Sequence, residues 1–86
     1  MHEARLMSDL MEKILSVAKQ QAAVKVVGIR VQLGALSHLS PAHFREHFEQ
    51  IAAGTIAEGA QVTALELTDI HDPQAQGIVL ESVEVQ

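Results

Sequence analysis

The sequence predicts an α+β domain of order α-β-α-β-β, with a mixed three-stranded sheet and two helices packed on one of its faces. Three observations predict it. Apolar residues recur at helical spacing in two segments and alternate at strand spacing in three others. A strand, a helix and a strand follow one another, which calls for a parallel crossover. The last two strands are separated only by a polar turn, which predicts that they close as a hairpin.

The first helix is expected over Glu3 to Gln21. Leu6, Leu10, Ile14 and Val17 line one face, and Met7, Met11 and Ala18 widen the stripe. Val24 to Leu33 reads as a strand in which Val27, Ile29, Val31 and Leu33 alternate with Gly28, Arg30 and Gln32, so one face is buried and the other wet. Gly34 ends it. Ser40 to Ala53 is a second helix with strong local punctuation. Ser40 suits an N-cap, Pro41 fits the first helical position, and Leu39 with Phe44 forms a hydrophobic staple. Phe44, Phe48, Ile51 and Ala52 make its buried stripe, and Gly54 supplies the stop. Val62 to Asp69 is a strand with Thr63, Leu65 and Leu67 on one face. In the strand Gly77 to Val85, Ile78 and Leu80 lie on one parity and Val83 and Val85 on the other, which a bulge near Glu81 or Ser82 reconciles.

Composition limits the function. The chain has 86 residues, 48% of them hydrophobic and 20% charged, as expected of a single globular domain spanning 1–86. A core this small is thin, which leaves room for a homodimer or another partner. Without cysteine there is no disulfide, no thiolate zinc site and no cysteine nucleophile. A net charge of −5 and only two aromatic residues argue against nucleic acid and anionic membranes as partners. The start Met1-His2-Glu3-Ala4-Arg5 resembles neither a signal nor a transit peptide, which fits a cytoplasmic protein. No phosphate loop, nucleophile elbow or zincin motif is present, so an enzyme is not expected.

Histidine is the chemistry-bearing residue. A free α-amine at Met1, the His2 amide nitrogen and the His2 Nδ1 can close two fused chelate rings on one ion. Such nitrogen donors suit planar Ni(II) or Cu(II) better than tetrahedral Zn(II), and Glu3 can add an oxygen or hold the ring. A histidine at that position also reads as an ordinary exposed side chain. His43 and His47 are spaced i, i+4 and share a helix face, with Glu46 beside them. They read either as a chelating pair or as a solvated surface. His71 lies in the turn Ile70 to Gln76.

The segments Met1-His2-Glu3, Val31-Gln32-Leu33-Gly34-Ala35-Leu36-Ser37, Gly54-Thr55-Ile56-Ala57-Glu58-Gly59-Ala60 and Leu80-Glu81-Ser82-Val83-Glu84-Val85 closely resemble the HypA family, nickel metallochaperones of NiFe-hydrogenase maturation and in some organisms of urease. The resemblance implies Ni(II) as cargo, bound by the Met1 amine, His2 and Glu3. Some members place a further ligand just before the second helix, where this chain has His38. A HypB-type GTPase and the hydrogenase large subunit are the partners it implies. The family also inserts a zinc domain with two C-x-x-C pairs between the last two strands. Here the turn 70–76 holds that place, and the cysteine-free chain has no structural zinc of that kind. Two other readings compete with metal delivery. One is an interaction or dimerisation adaptor without metal delivery, and the other is a small metal binder or enzyme built on His43, Glu46 and His47. Cu(II) binds nitrogen donors more tightly than Ni(II), so selectivity has to come from supply and partners.

Overall fold

The computed structural model describes residues 2–86; Met1 and the side chains of His2 and Glu3 lie outside the described residues. The elements are α1 (His2–Gln20), β1 (Val26–Leu33), α2 (Pro41–Ala52), β2 (Gln61–Glu66) and β3 (Ile78–Val85), the expected α-β-α-β-β order. Among the described residues no helix is long and apolar enough to cross a membrane.

The three strands are ordered β2-β1-β3, with β1 parallel to β2 and antiparallel to β3. The sheet is mixed as expected, but β2 and β3 do not form the expected hairpin; they flank β1 on opposite sides. β1 takes the centre because it is the most apolar strand. Val26, Ile29, Val31 and Leu33 are all buried, while β2 is largely exposed and β3 half-buried. To reach the far side of β1, the chain from β2 must cross a gap of about two strand spacings, roughly 10 Å, which residues 67–77 bridge. This strap runs across the C-terminal end of β1. Leu67 N donates to Leu33 O (2.9 Å), Gly34 N to Gly77 O (2.9 Å) and Leu36 N to Ala75 O (2.7 Å). Side chains of Asp69 and Asp72 hold its bends by accepting from the amides of His71 and Gln74.

Two bulges set the faces. Between Arg30↔Ser82 and Val31↔Leu80 the extra residue in β3 is Glu81, at the expected place, and it lets Ile78, Leu80, Val83 and Val85 all pack against the core. A second bulge, at Val27, was not expected. It exposes Val27 and turns Val26 inward. In β2 Thr63 and Leu65 share a face as expected, and it is the solvent face; Val62 is the residue turned into the core.

Both helices join one core cluster with the inner residues of the sheet, and they touch each other, as two helices on one face must. In α1 the buried stripe is Met7, Leu10, Met11, Ile14 and Ala18, with Leu6 and Val17 at its margins. α1 ends with two bonds, from Ala22 N to Lys19 O (3.0 Å) and from Ala23 N to Ala18 O (2.9 Å), around Ala22 at φ +53°. This is a Schellman arrangement with alanine where glycine is usual. Ala22→Gly is therefore expected to stabilise the domain by about 0.5–1 kcal/mol, read as a higher urea midpoint; an unchanged or lower midpoint would contradict that geometry.

α2 begins as its sequence announces. Ser40 Oγ accepts from His43 N (3.1 Å), Pro41 starts the helix, and Phe44, Phe48 and Ala52 are buried. Ile51, expected in the same stripe, is instead 36% exposed. After α2 each residue of the Gly54-Thr55-x-Ala57-Glu58 run has a task. Gly54 sits at φ +82°, its amide donates to Glu58 Oε1 (2.9 Å), and Thr55 Oγ1 donates to Ala52 O and accepts from Ala57 N. Ala57 is fully buried, and the carbonyl of Ile56 accepts from Val26 N, tying the turn to the start of β1.

Candidate metal centre

The ligands expected at Met1, His2 and Glu3 lie outside the described residues, apart from the backbone of α1, which begins at His2. The first amides of a helix have no intrahelical acceptor, so amide nitrogens in this first turn are not committed to the helical ladder.

His38 lies in the loop 34–40 between β1 and α2. The loop is tightly made: Ser37 N donates to Gly34 O (3.0 Å), Leu39 N to Ser37 Oγ (3.4 Å), and Leu36 N to the strap. Ser37 and Leu39 are buried, while His38 between them adopts φ +62° and is exposed. Histidine is among the residues that tolerate this left-handed backbone. Among the described residues no three His, Asp or Glu side chains converge on one point, so His38 has no pair of such neighbours there.

Among the described histidines, His43 and His47 meet, on successive turns of α2. Their Nε2 atoms are 3.0 Å apart, and the ring centroids 4.6 Å apart at an interplanar angle of 62°. Phe44 and Phe48, one residue further on in each case, are buried in the core, so the histidine pair runs along the edge of the buried stripe. Glu46 is exposed and does not complete a group of three with them. His71 is exposed on the strap. A groove of about 840 Å³ separates α1 from β3. Asp9, Glu12, Lys13, Val17, Ile78 and Leu80 help to line it, with no histidine among the described residues.

The open face of the sheet carries a surface network, with Arg30 4.0 Å from Glu81 and Gln32 Nε2 donating to Glu81 Oε2 (3.4 Å). These exposed contacts add little stability. Sequence reading missed the junction of Gly34 with the strap, which builds the His38 loop. The only signal was a glycine read as a strand end.

With this geometry in view, the chain can be compared with known proteins. A family model described as hydrogenase/urease nickel incorporation, metallochaperone, HypA matches residues 1–71. A hydrogenase maturation factor HypA from Picosynechococcus is 37% identical over 62 residues, covering 72% of this chain and 55% of that protein. One from Bradyrhizobium is 38% identical over 66 residues, covering 77% and 58%. The solution structure of the Ni metallochaperone HypA from Helicobacter pylori shares the fold, with a TM-score of 0.77 at 18% identity, over 99% of this chain and 97% of that one. The chain belongs to the HypA family. It spans about half the length of the curated relatives it matches. The family match stops at residue 71, so it does not extend to the expected likeness at 80–85.

Proposed function

We propose that this domain carries Ni(II) as cargo and hands it on during maturation of a NiFe-hydrogenase, or of urease. The observation that supports this reading is Met1-His2-Glu3 leading into α1 in a chain of the HypA family. In this reading the Met1 amine, the His2 amide and the His2 Nδ1 are the nitrogen donors. Glu3 supplies an oxygen or orients the imidazole, and His38 is the candidate for a further ligand. The uncommitted amides of the first turn suit deprotonation by the metal, and affinity rises with pH because that proton must leave. Transfer needs a site that is open and not too tight, and ligands at the start of a helix meet that need better than a buried cage. The protein acts as a carrier rather than a catalyst, in the cytoplasm. A HypB-type GTPase and the hydrogenase large subunit are its partners, and the single domain has the turn 70–76 in place of a zinc domain.

The test is a Ni(II) titration of protein with a free amino terminus, followed by visible absorption, against His2→Ala. The wild type is expected to develop a yellow planar-type d–d band that the variant lacks, with affinity at least about tenfold weaker once the chelate is broken. A band of the same strength in His2→Ala, or no band in either protein, would overturn the reading.

A further inference from the structure

The sheet has two edges, β2 and β3, and the chain treats them differently. At β2 the guanidinium of Arg45, reaching over from α2, donates from Nη2 to Val62 O (3.4 Å) and so occupies a carbonyl of that edge. At β3 no side chain does the same among the described residues. Gly77 O accepts from Gly34 N and therefore points toward β1. The planar peptide then turns the Ile78 amide the other way, and along an extended chain the direction alternates from residue to residue. The amides and carbonyls of Ile78 and Leu80 thus face away from β1, and those of Val79 face it. The groove between α1 and β3 is lined by Ile78, Val79 and Leu80 in succession. Their side chains alternate between faces, so the groove runs along the backbone edge of the strand. We propose that this groove is a docking site for an extended segment of a partner protein, which adds as a strand to β3 and carries basic side chains toward α1.

Size and charge narrow the occupant. The groove holds about 840 Å³, and one wall is the polar side of α1 from Asp9 to Gln20. That stretch of helix is about 16 Å long, which an extended chain covers in about five residues. Backbone bonds to Ile78 and Leu80 supply affinity of a kind that any sequence can use, and the walls select among sequences. The side chains of an added strand alternate between two surroundings. One set lies under α1, against Asp9 and Glu12, and the other lies beside half-buried Val79 on the open face. Asp9 and Glu12 are exposed, and among the described residues neither carboxylate has a basic partner. Lysine or arginine in the first set meets those carboxylates, and an apolar residue in the second covers Val79. A second copy of this chain fits badly. Neither β2 nor β3 contains a lysine or arginine, and each copy brings a net charge of −5.

The docking site is independent of the metal reading, and its test uses metal-free protein. The probe is a short, terminally blocked peptide in which valine alternates with arginine, compared with one in which valine alternates with glutamate. Titration gives the affinities, and amide hydrogen exchange locates the contact. The basic peptide is expected to bind and to slow exchange at Ile78 and Leu80 by about tenfold or more, while Val79, already turned to β1, changes little. Asp9→Asn combined with Glu12→Gln should weaken binding by about three- to tenfold. Lys13→Gln should strengthen it, because Lys13 lines the same groove and repels the incoming cation. All three side chains are exposed, so these variants keep the fold. No binding of the basic peptide, equal binding of both peptides, affinity unmoved by the charge changes, or protection that falls on β2 would overturn the proposal. Sedimentation showing a dimer of the free protein, with Ile78 and Leu80 already protected in it, would overturn it too, because a second copy would then be the occupant.

Discussion

Replacing Phe44 by alanine is expected to destabilise the domain by about 3–5 kcal/mol, enough to leave much of the population unfolded. Phe44 is fully buried, and its ring lies 6.2 Å from that of Phe48, stacked at 24°. With only two aromatic residues in the chain, no other ring can fill the space. A domain of 86 residues has a total stability on the order of 4–13 kcal/mol, so one such cavity consumes a large share of it. The comparison that makes the test sharp is Ile51→Ala. Helical spacing groups Ile51 with the phenylalanines, but at 36% exposure its truncation should cost about 1 kcal/mol or less. Urea unfolding of both variants measures the contrast. Similar losses for Phe44→Ala and Ile51→Ala would mean that α2 faces the sheet with a different side.

Legibility followed how local the causes are. α2 could be read closely because Ser40, Pro41 and Phe44 act within one turn of each other, and the structure shows that cap and that buried stripe. The Glu81 bulge was readable because β3 carries its own evidence, a change of parity between Leu80 and Val83. Val27 gave no such warning, since both Val26 and Val27 are apolar and either could face inward. The same ambiguity leaves the inward face of β2 open in the sequence. Val62, Leu65 and Leu67 do not share a parity, and pairing with β1 turns Val62 inward and leaves Leu65 54% exposed. α1 is apolar around much of its girth, so packing, not pattern, decides that Met7 and Ala18 lie deeper than Leu6 and Val17. The hairpin failed for a different reason. Which strand becomes central is a property of the assembled sheet, and no local signal in residues 67–77 states it. As for the site, the amino-terminal ligands were read from a motif and not from geometry. The i, i+4 spacing of His43 and His47 is legible in the sequence, but the 3.0 Å approach of their Nε2 atoms emerges only when the rings are placed.

Gly34→Ala is expected to cost about 3 kcal/mol or more, although it adds a single methyl group. A Cβ at this position would lie 2.6 Å from Gln74 O and closer still to the carbonyl group of Ala75. These are backbone atoms, so no side chain can swing aside. The strap would have to withdraw, and the bonds Gly34 N to Gly77 O and Leu36 N to Ala75 O hold it where it is. Breaking them leaves the amide of buried Gly34 and the carbonyl of buried Ala75 unpaired, at about 1–3 kcal/mol each. Gly28→Ala is the matched control, because its Cβ would meet only ordinary contacts at 3.5 Å, and it should change stability by about 1 kcal/mol or less. Urea midpoints measure both, and amide exchange locates the damage. If the variant still folds, the Leu36 amide should lose protection while the centre of β1 keeps it, because the strap detaches before the sheet. The consequence reaches the candidate site, since the loop that the strap secures carries His38 and leads into the cap of α2 below His43. A Gly34→Ala protein as stable as the parent would mean that residues 74–77 do not lie across the end of β1. The support of that loop would then have to come from elsewhere.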